Sequence, residues 1–340
     1  MLNHFKCKPF FAASLCALGL SFQTLAADVA IVIHGGAGTI LKKNMTPERE
    51  QAYVEKLTEA VKKGYALLQS GVDGETAVIQ TIQVLEQSPL FNAGIGAVYT
   101  FDGEHELDAS MMHGGTLNAG AVAGVKTIAS PIEAAQAVMN HSPHVLLSGK
   151  GAEDFALSRG MEPVDNHIFD TERRFKALEK ARERILKAGI EYGGQQGNER
   201  FGTVGAVVLD KQGNLVAGTS TGGMTAKRYG RIGDSPVIGA GTWADNASCA
   251  VSATGHGEYF IRYHVAADIC SRMKYTGVSL DDAANTVINE VLVEAGGDGG
   301  IIAIDHDGNI AAVFNSAGMY RAQIDTDGQV KVGIYKAWIE

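Results

Sequence analysis

The chain has 340 residues and a formal net charge of −9; its 45% hydrophobic and 20% charged content describes a globular protein with a sizeable core, not a disordered one. So acidic a balance excludes a broad nucleic-acid footprint. Of its four cysteines two lie within the first 26 residues, and the remaining two do not make a disulfide framework.

Residues 1–26 differ in kind from the rest. Lys6 and Lys8 precede an apolar run from Pro9 to Phe22, and small residues follow at Ala26 and Ala27. This is the pattern of a secretory signal peptide, too short to span a membrane, and it predicts a periplasmic or secreted protein. Cys7 and Cys16 would leave with it, and Cys249 and Cys270 remain, free to pair in an oxidising compartment.

Val29 to Ile33 reads as a buried strand, followed by a glycine turn, His34-Gly35-Gly36-Ala37-Gly38. Helices are predicted over 46–69, with Thr46 as N-cap before Pro47, and over 74–87. A loop rich in glycine and acid follows from Leu90 to Gly115, then a strand of small residues, Ala119 to Val125. Three more helices are predicted near 131–140, 150–159 and 171–188. A polar stretch, 189–202, is the one linker-like segment. Beyond it the pattern turns to strands. Gly205 to Asp210, followed by Gly213-Asn214, is echoed by Gly300 to Asp305 and Gly308-Asn309, which predicts two similar hairpins. Helices over 258–274 and 279–295 lie between them, and Asp325-Thr326-Asp327-Gly328 marks a third hairpin. Strands this apolar must be covered on both faces, which two packed sheets between helical layers achieve.

Several short motifs point to competing chemistries. Gly218-Thr219-Ser220-Thr221-Gly222 matches the G-x-S-x-G elbow of serine esterases, but Gly222 to Gly230 carries a glycine pair and no apolar helical stripe, and His256, His264 and His306 sit in no triad context. His105-Glu106 opens a zinc-type motif that Ala109 fails to complete. In Asp305-x-Asp307-Gly308 the glycine comes too early for a calcium loop, so turn chemistry is the better reading. Arg231 and Asp234 lie three positions apart in a glycine-bounded loop. They form either a surface ion pair of little worth or a clamp for a zwitterion, with Arg231 on a carboxylate and Asp234 on an ammonium. Thr254-Gly255-His256-Gly257-Glu258 follows a strand, and its backbone N–H groups could face an oxyanion.

The junction Gly202-Thr203 organises these fragments. Cleavage there would make Thr203 a chain start, with a hydroxyl nucleophile and an α-amine base on one residue; such an amine has a pKa of about 7.7–8.0.

Taken together, Gly202 to Val207, Thr219 to Met224, Gly230 to Pro236, Thr254-Gly255-x-Gly257-Glu258, His34 to Gly38 and Pro89 to Gly96 closely resemble the plant-type asparaginase / isoaspartyl dipeptidase family. The resemblance implies an N-terminal-nucleophile hydrolase, an α/β protein built as a four-layer αββα sandwich. It implies a precursor that cuts itself between Gly202 and Thr203 into an α subunit, 27–202, and a β subunit, 203–340. By the same resemblance Thr203 is the nucleophile, Thr221 supports its hydroxyl, and Asn92 lies near the new amine. Thr254 and Gly255 form the oxyanion hole. Arg231 holds the substrate α-carboxylate, while Asp234 and the Gly257 carbonyl take the α-ammonium. Main-chain carbonyls of Leu85, Glu86, Ser88, Phe91, Ala93 and Ile95 would hold a structural sodium ion, and catalysis needs no cofactor. The implied substrates are L-asparagine and β-aspartyl dipeptides, with no nucleic-acid or membrane partner, and the implied assembly is a dimer of αβ heterodimers. The alternatives are a glycosylasparaginase-like amidase and an unprocessed periplasmic amino-acid-binding protein. His256 departs from the family pattern, which has a small or hydroxyl residue there. It reads either as a solvent-facing turn residue or as a group acting on the leaving-group side or the pH dependence.

Overall fold

The structure, a computed structural model, describes residues 28–188 and 202–339. The expected signal peptide, and all of the expected linker but Gly202, lie outside the described residues.

In chain order the elements are β1 (Ala30–Gly38), α1 (Pro47–Gln69), α2 (Gly74–Glu86), β2 (Leu107–His113), β3 (Ala119–Val125), α3 (Pro131–His141), β4 (Leu146–Ser148), α4 (Gly149–Ser158) and α5 (Glu172–Ala188). After the linker come β5 (Val204–Leu209), β6 (Leu215–Thr221), β7 (Thr242–Ala244), β8 (Cys249–Gly255), α6 (Gly257–Arg262) and α7 (Val265–Thr276). The chain closes with α8 (Leu280–Asn285), α9 (Leu292–Ala295), β9 (Gly299–Asp305), β10 (Ile310–Phe314), β11 (Gly318–Ile324), β12 (Val330–Gly333) and β13 (Trp338–Ile339).

Local chemistry explains the boundaries. Thr46 caps α1 by accepting the Arg49 N–H at 3.3 Å, with Pro47 at the first helical position. Asp73 caps α2 through the Thr76 N–H at 2.8 Å. Three hairpin turns repeat one device. Asp210 Oδ1 accepts the N–H groups of Gln212 and Asn214, Asp305 Oδ1 those of Asp307 and Asn309, and Asp325 Oδ1 that of Gln329. The Asp305 turn is therefore turn chemistry rather than a calcium loop.

The strands form a nine-stranded sheet, β13-β12-β11-β1-β5-β6-β2-β3-β4, and a four-stranded sheet, β10-β9-β8-β7. Period-two alternation divides their side chains between layers. In β1, Ile31 and Ile33 face the helices α1 and α2, while Ala30 and Val32 face the second sheet. The inter-sheet layer is filled by small and branched residues such as Val32, Val207, Ala217, Ala250, Ile302 and Ile304. Helices α7 and α8 cover the outer face of the small sheet through Ile269, Ala284 and their neighbours. The result is the expected αββα sandwich.

Four local expectations are corrected. Residues 107–113, expected within a loop, form β2, paired between β3 and β6. The glycine turn at 34–38 continues β1 through a bulge between His34 and Ala37. The helix expected over 258–274 is two, broken where His264 adopts a left-handed φ of 48°. The helix expected over 279–295 loosens into a π turn at Thr286–Val291. Gly218 to Thr221 lie on β6, which runs into a loop and not a helix, so the esterase elbow is absent. Cys249 and Cys270 are joined by a disulfide that ties β8 to α7.

Candidate active site

One end of the sandwich gathers the residues singled out above. β5 begins and β6 ends there, since Val204 pairs with Ser220. β1 arrives antiparallel to β5, with His34 opposite Gly205, and β8 ends at Gly255 in the second sheet.

Thr203 is nearly buried, and its hydroxyl donates to Thr221 Oγ1 at 3.2 Å. The Thr221 oxygen also accepts the Gly223 N–H at 3.0 Å, which fixes its position. Asn92 braces this corner three times. Its Nδ2 donates to the Gly223 carbonyl at 2.7 Å, its Oδ1 accepts the Val98 N–H, and its carbonyl accepts the Gly222 N–H. The Gly202–Thr203 peptide is pressed between two walls. A Cβ on Gly36 would lie 2.6 Å from Gly202 Cα, and Gly36 has a φ of 110°. A Cβ on Gly202 would lie 3.0 Å from Asn92 Cβ. Gly36 must be glycine on both grounds, contact and backbone angle, and Gly202 is tightly packed against Asn92.

Thr254 is fully buried, and its hydroxyl accepts the Ala37 N–H at 3.3 Å, joining the two sheets at the site. Past it, Gly257 touches both halves of the expected clamp. A Cβ there would be 2.8 Å from Arg231 Nη2, 2.9 Å from Asp234 Oδ1 and 3.0 Å from Asp234 N. Arg231 is not a self-contained pair with Asp234. Its Nε and Nη2 make a bidentate contact with Glu258 at 3.0 Å each, so Glu258 orients the guanidinium. Burial would raise the Glu258 carboxyl, but hydrogen bonds from His256 and Arg231 outweigh it and hold the group below the ordinary carboxylate range. Asp234 is buried with one oxygen, Oδ2, unpartnered. Burial pushes its pKa up to about 7, with the Arg231 charge opposing. An unpartnered buried carboxylate oxygen beside an anchored guanidinium has the chemistry to accept a cation next to an anion. His256 does not face solvent: its side chain is 14% exposed, and Nε2 lies 3.2 Å from Glu258 Oε2, backing the same clamp.

The loop after α2 can be tested as a cation site. A Cβ on Gly94 would lie 2.3 Å from the Glu86 carbonyl oxygen; one on Gly96 would lie 1.9 Å from the Phe91 oxygen and 3.0 Å from the Ser88 oxygen. These carbonyls crowd around a glycine pair, while those of Leu85 and Ala93 accept the N–H groups of Ser88 and Gly96. Main-chain oxygen is a donor set that suits a hard monovalent ion. Among the described residues no cluster of acidic, histidine or cysteine side chains offers a competing metal site. His105 is occupied structurally, between the Val98 carbonyl and Asp170.

Sequence reasoning assigned no role to several side chains here. Glu258 was legible only as part of a motif. Glu86 presents a buried carboxyl to the hydroxyls of Ser220 and Ser130 at 2.6 and 2.7 Å, and burial lifts its pKa to about 7. His34 is wholly buried, with Nδ1 2.9 Å from the Thr203 carbonyl and Nε2 3.0 Å from Ser252 Oγ. Burial lowers its pKa to about 3 against the raising effect of the Thr203 contact, so the ring is neutral.

The sequence model of a known family, described as asparaginase, matches residues 27–334. The chain belongs to the asparaginase family. Members of this family give close sequence matches. An isoaspartyl peptidase of Salmonella typhimurium is 52% identical over 308 residues, covering 90% of this chain and 98% of the relative. The Escherichia coli isoaspartyl peptidase is 50% identical over 308 residues, 90% of this chain and 96% of its own length. An isoaspartyl peptidase/L-asparaginase of Rattus norvegicus is 39% identical over 313 residues, 92% of this chain and 90% of the relative. The family assignment accords with the αββα fold and makes the protein a hydrolase of the N-terminal-nucleophile type.

Proposed function

We propose that the protein is an isoaspartyl peptidase and L-asparaginase that activates itself by cutting between Gly202 and Thr203. The observation that carries this reading is the placement, at one sandwich end, of the Gly202–Thr203 peptide against Gly36, with Ala37 hydrogen-bonded to Thr254, three residues before Gly257, which packs against Arg231 and Asp234. Family membership and the names of the bacterial relatives support it.

In the uncut chain the Thr203 hydroxyl attacks the Gly202 carbonyl carbon, and the C–N bond breaks with the proton going to Thr203 nitrogen. Water then opens the ester, leaving a Gly202 carboxylate and a free Thr203 α-amine. In the mature enzyme that amine takes the hydroxyl proton, and Oγ attacks the side-chain carbonyl of asparagine or the β-peptide carbonyl of an isoaspartyl dipeptide. Thr254 and Gly255 face the oxyanion. The amine returns its proton to the leaving group, and water, deprotonated in turn, releases L-aspartate from the β-aspartyl ester. Both substrates carry one α-carboxylate and one α-ammonium, which Arg231 and Asp234 would hold, with the Gly257 carbonyl beside them. A sodium ion held by the carbonyls of Leu85, Glu86, Ser88, Phe91, Ala93 and Ile95 would act structurally, stiffening the loop that carries Asn92. The expected leader, 1–26, would send the protein to the periplasm or outside, a destination that the Cys249–Cys270 disulfide supports. The assembly is proposed to be two αβ units.

The test is Thr203→Ala beside Thr203→Ser. The alanine variant should stay a single band on a denaturing gel and release neither ammonia from asparagine nor amino acid from a β-aspartyl dipeptide. The serine variant should keep part of both activities. Cleavage persisting in Thr203→Ala would overturn the assignment.

A further inference from the structure

The inter-sheet layer changes character at the catalytic end. Along most of its length it is apolar, but five consecutive inward positions on five strands are polar: His34 on β1, Ser252 on β8, Thr219 on β6, Thr242 on β7 and Ser110 on β2. All five are fully buried. Each touches the next. His34 Nε2 is 3.0 Å from Ser252 Oγ, which is 2.7 Å from Thr219 Oγ1. Thr219 is 2.5 Å from Thr242 Oγ1, which is 2.8 Å from Ser110 Oγ. The row ends on two main-chain carbonyls. One belongs to Thr203, 2.9 Å from His34 Nδ1; the other belongs to Ser235, 2.6 Å from Ser110 Oγ. Thr203 carries the nucleophile, and Ser235 follows Asp234.

Counting hydrogens fixes the row's polarity. The two end carbonyls can only accept, so His34 carries its single ring proton on Nδ1 and accepts from Ser252 at Nε2. Ser252 must then accept from Thr219, whose hydrogen is shared with the Gly241 carbonyl at 3.2 Å, and Thr219 accepts from Thr242. The Ser110 hydrogen, the fifth, serves both remaining contacts. A buried row of this kind costs more than an apolar layer unless its contacts are made. The chain has also made room for it: a Cβ on Gly205 would strike Ser252 Oγ at 2.0 Å and His34 Nε2 at 2.5 Å. Neither the nucleophile chemistry nor the clamp uses these five side chains.

We propose that His34 and Ser252 are positioning residues. Through the row they hold the Thr203 main chain and the Asp234–Ser235 turn in one register, so that nucleophile and ammonium receptor meet the substrate at a fixed separation. This rests on Thr203 being the nucleophile. The row acts through geometry, because directional contacts between the sheets resist the sliding that apolar packing tolerates. A misplacement of about 1 Å at such a site costs roughly a hundredfold in rate.

The experiment compares His34→Ala, His34→Asn, Ser252→Ala and Ser110→Ala in the full chain, measuring self-cleavage, kcat and KM on a β-aspartyl dipeptide, and thermal midpoint. His34→Ala should lower kcat about tenfold to a hundredfold. His34→Asn, whose amide N–H can replace Nδ1 toward the Thr203 carbonyl, should recover most of that loss. Ser110→Ala, at the clamp end, should act mainly on KM. Should His34→Ala not fold, Ser252→Ala carries the test, with a kcat loss at an almost unchanged midpoint expected. The proposal is overturned if His34→Asn is as impaired as His34→Ala, or if losses follow the thermal midpoint with no split between kcat and KM. Thr203→Ala is the control: activity surviving there removes the nucleophile itself, whereas a dead Thr203→Ala with a normal His34→Ala removes only the row.

Discussion

Gly257→Ala separates self-cleavage from turnover. The new Cβ would stand 2.8 Å from Arg231 Nη2, 2.9 Å from Asp234 Oδ1 and 3.0 Å from Asp234 N. Comfortable contacts to carbon need roughly 3.5 Å or more, so the clamp must retreat by about 0.5–1 Å. The arginine could swing aside alone, but it would then break its fork on Glu258; the Asp234 nitrogen is main chain and moves only with its turn. A displacement of that size predicts a loss of about tenfold to a hundredfold in kcat/KM. The Gly202–Thr203 junction is held instead by Gly36, Asn92 and Thr221, so the variant should still cut itself. A denaturing gel and steady-state hydrolysis of a β-aspartyl dipeptide read the two outcomes. An unchanged kcat/KM, or loss of cleavage along with turnover, would refute the reasoning.

Asp234 must be ionised to take an ammonium, and burial puts its pKa at about 7 in the free protein. The acid limb of kcat/KM should therefore rise through pH 7, and Asp234→Asn should flatten that limb while raising KM. Because the folded pKa lies above the ordinary carboxylate value, ionised Asp234 disfavours the fold. Its contribution to stability is fully present below about pH 4 and is lost as pH rises through 7, so Asp234→Asn should melt higher than the parent at pH 8. Gly36→Ala should block maturation, since its Cβ meets Gly202 Cα at 2.6 Å on a left-handed backbone; a gel showing normal processing would contradict the crowding described. Reducing the disulfide, or Cys249→Ser with Cys270→Ser, should lower stability by about 3 kcal/mol for a loop of 21 residues, read as a fall in thermal midpoint.

The parts of the fold that could be read from the sequence divide along physical lines. The α1 cap at Thr46-Pro47 and the Asp-led hairpin turns were legible because both are local hydrogen-bond chemistry within a few residues. The clamp was legible as a charge pair in a loop, but its anchor was not. Glu258 reaches Arg231 from another element, and nothing in local spacing shows that. β2 was missed although Leu107, Ala109 and Met111 alternate with Asp108 and Ser110 at strand period, because a glycine- and acid-rich stretch reads as a loop and its polar residues as solvent-facing. Both polar residues are buried, Ser110 in the row between the sheets and Asp108 accepting the Gly124 N–H. His34 was hidden for a related reason: a histidine before glycines reads as a turn, whereas here β1 continues through it and its ring faces another sheet. Buried polar side chains disguise a covered face as an exposed one, because their partners are distant in sequence. Gly205, by contrast, could have been questioned from the start, as a glycine inside an apolar strand often marks a close approach.

The central claim is that an interior threonine becomes a chain start. N-terminal sequencing of purified, active protein tests it most directly. The account predicts a second start reading Thr203-Val204-Gly205-Ala206, in equal amount to the first and rising in step with activity during maturation. Full activity from material with a single N-terminus, before any Thr203 start can be detected, would contradict it.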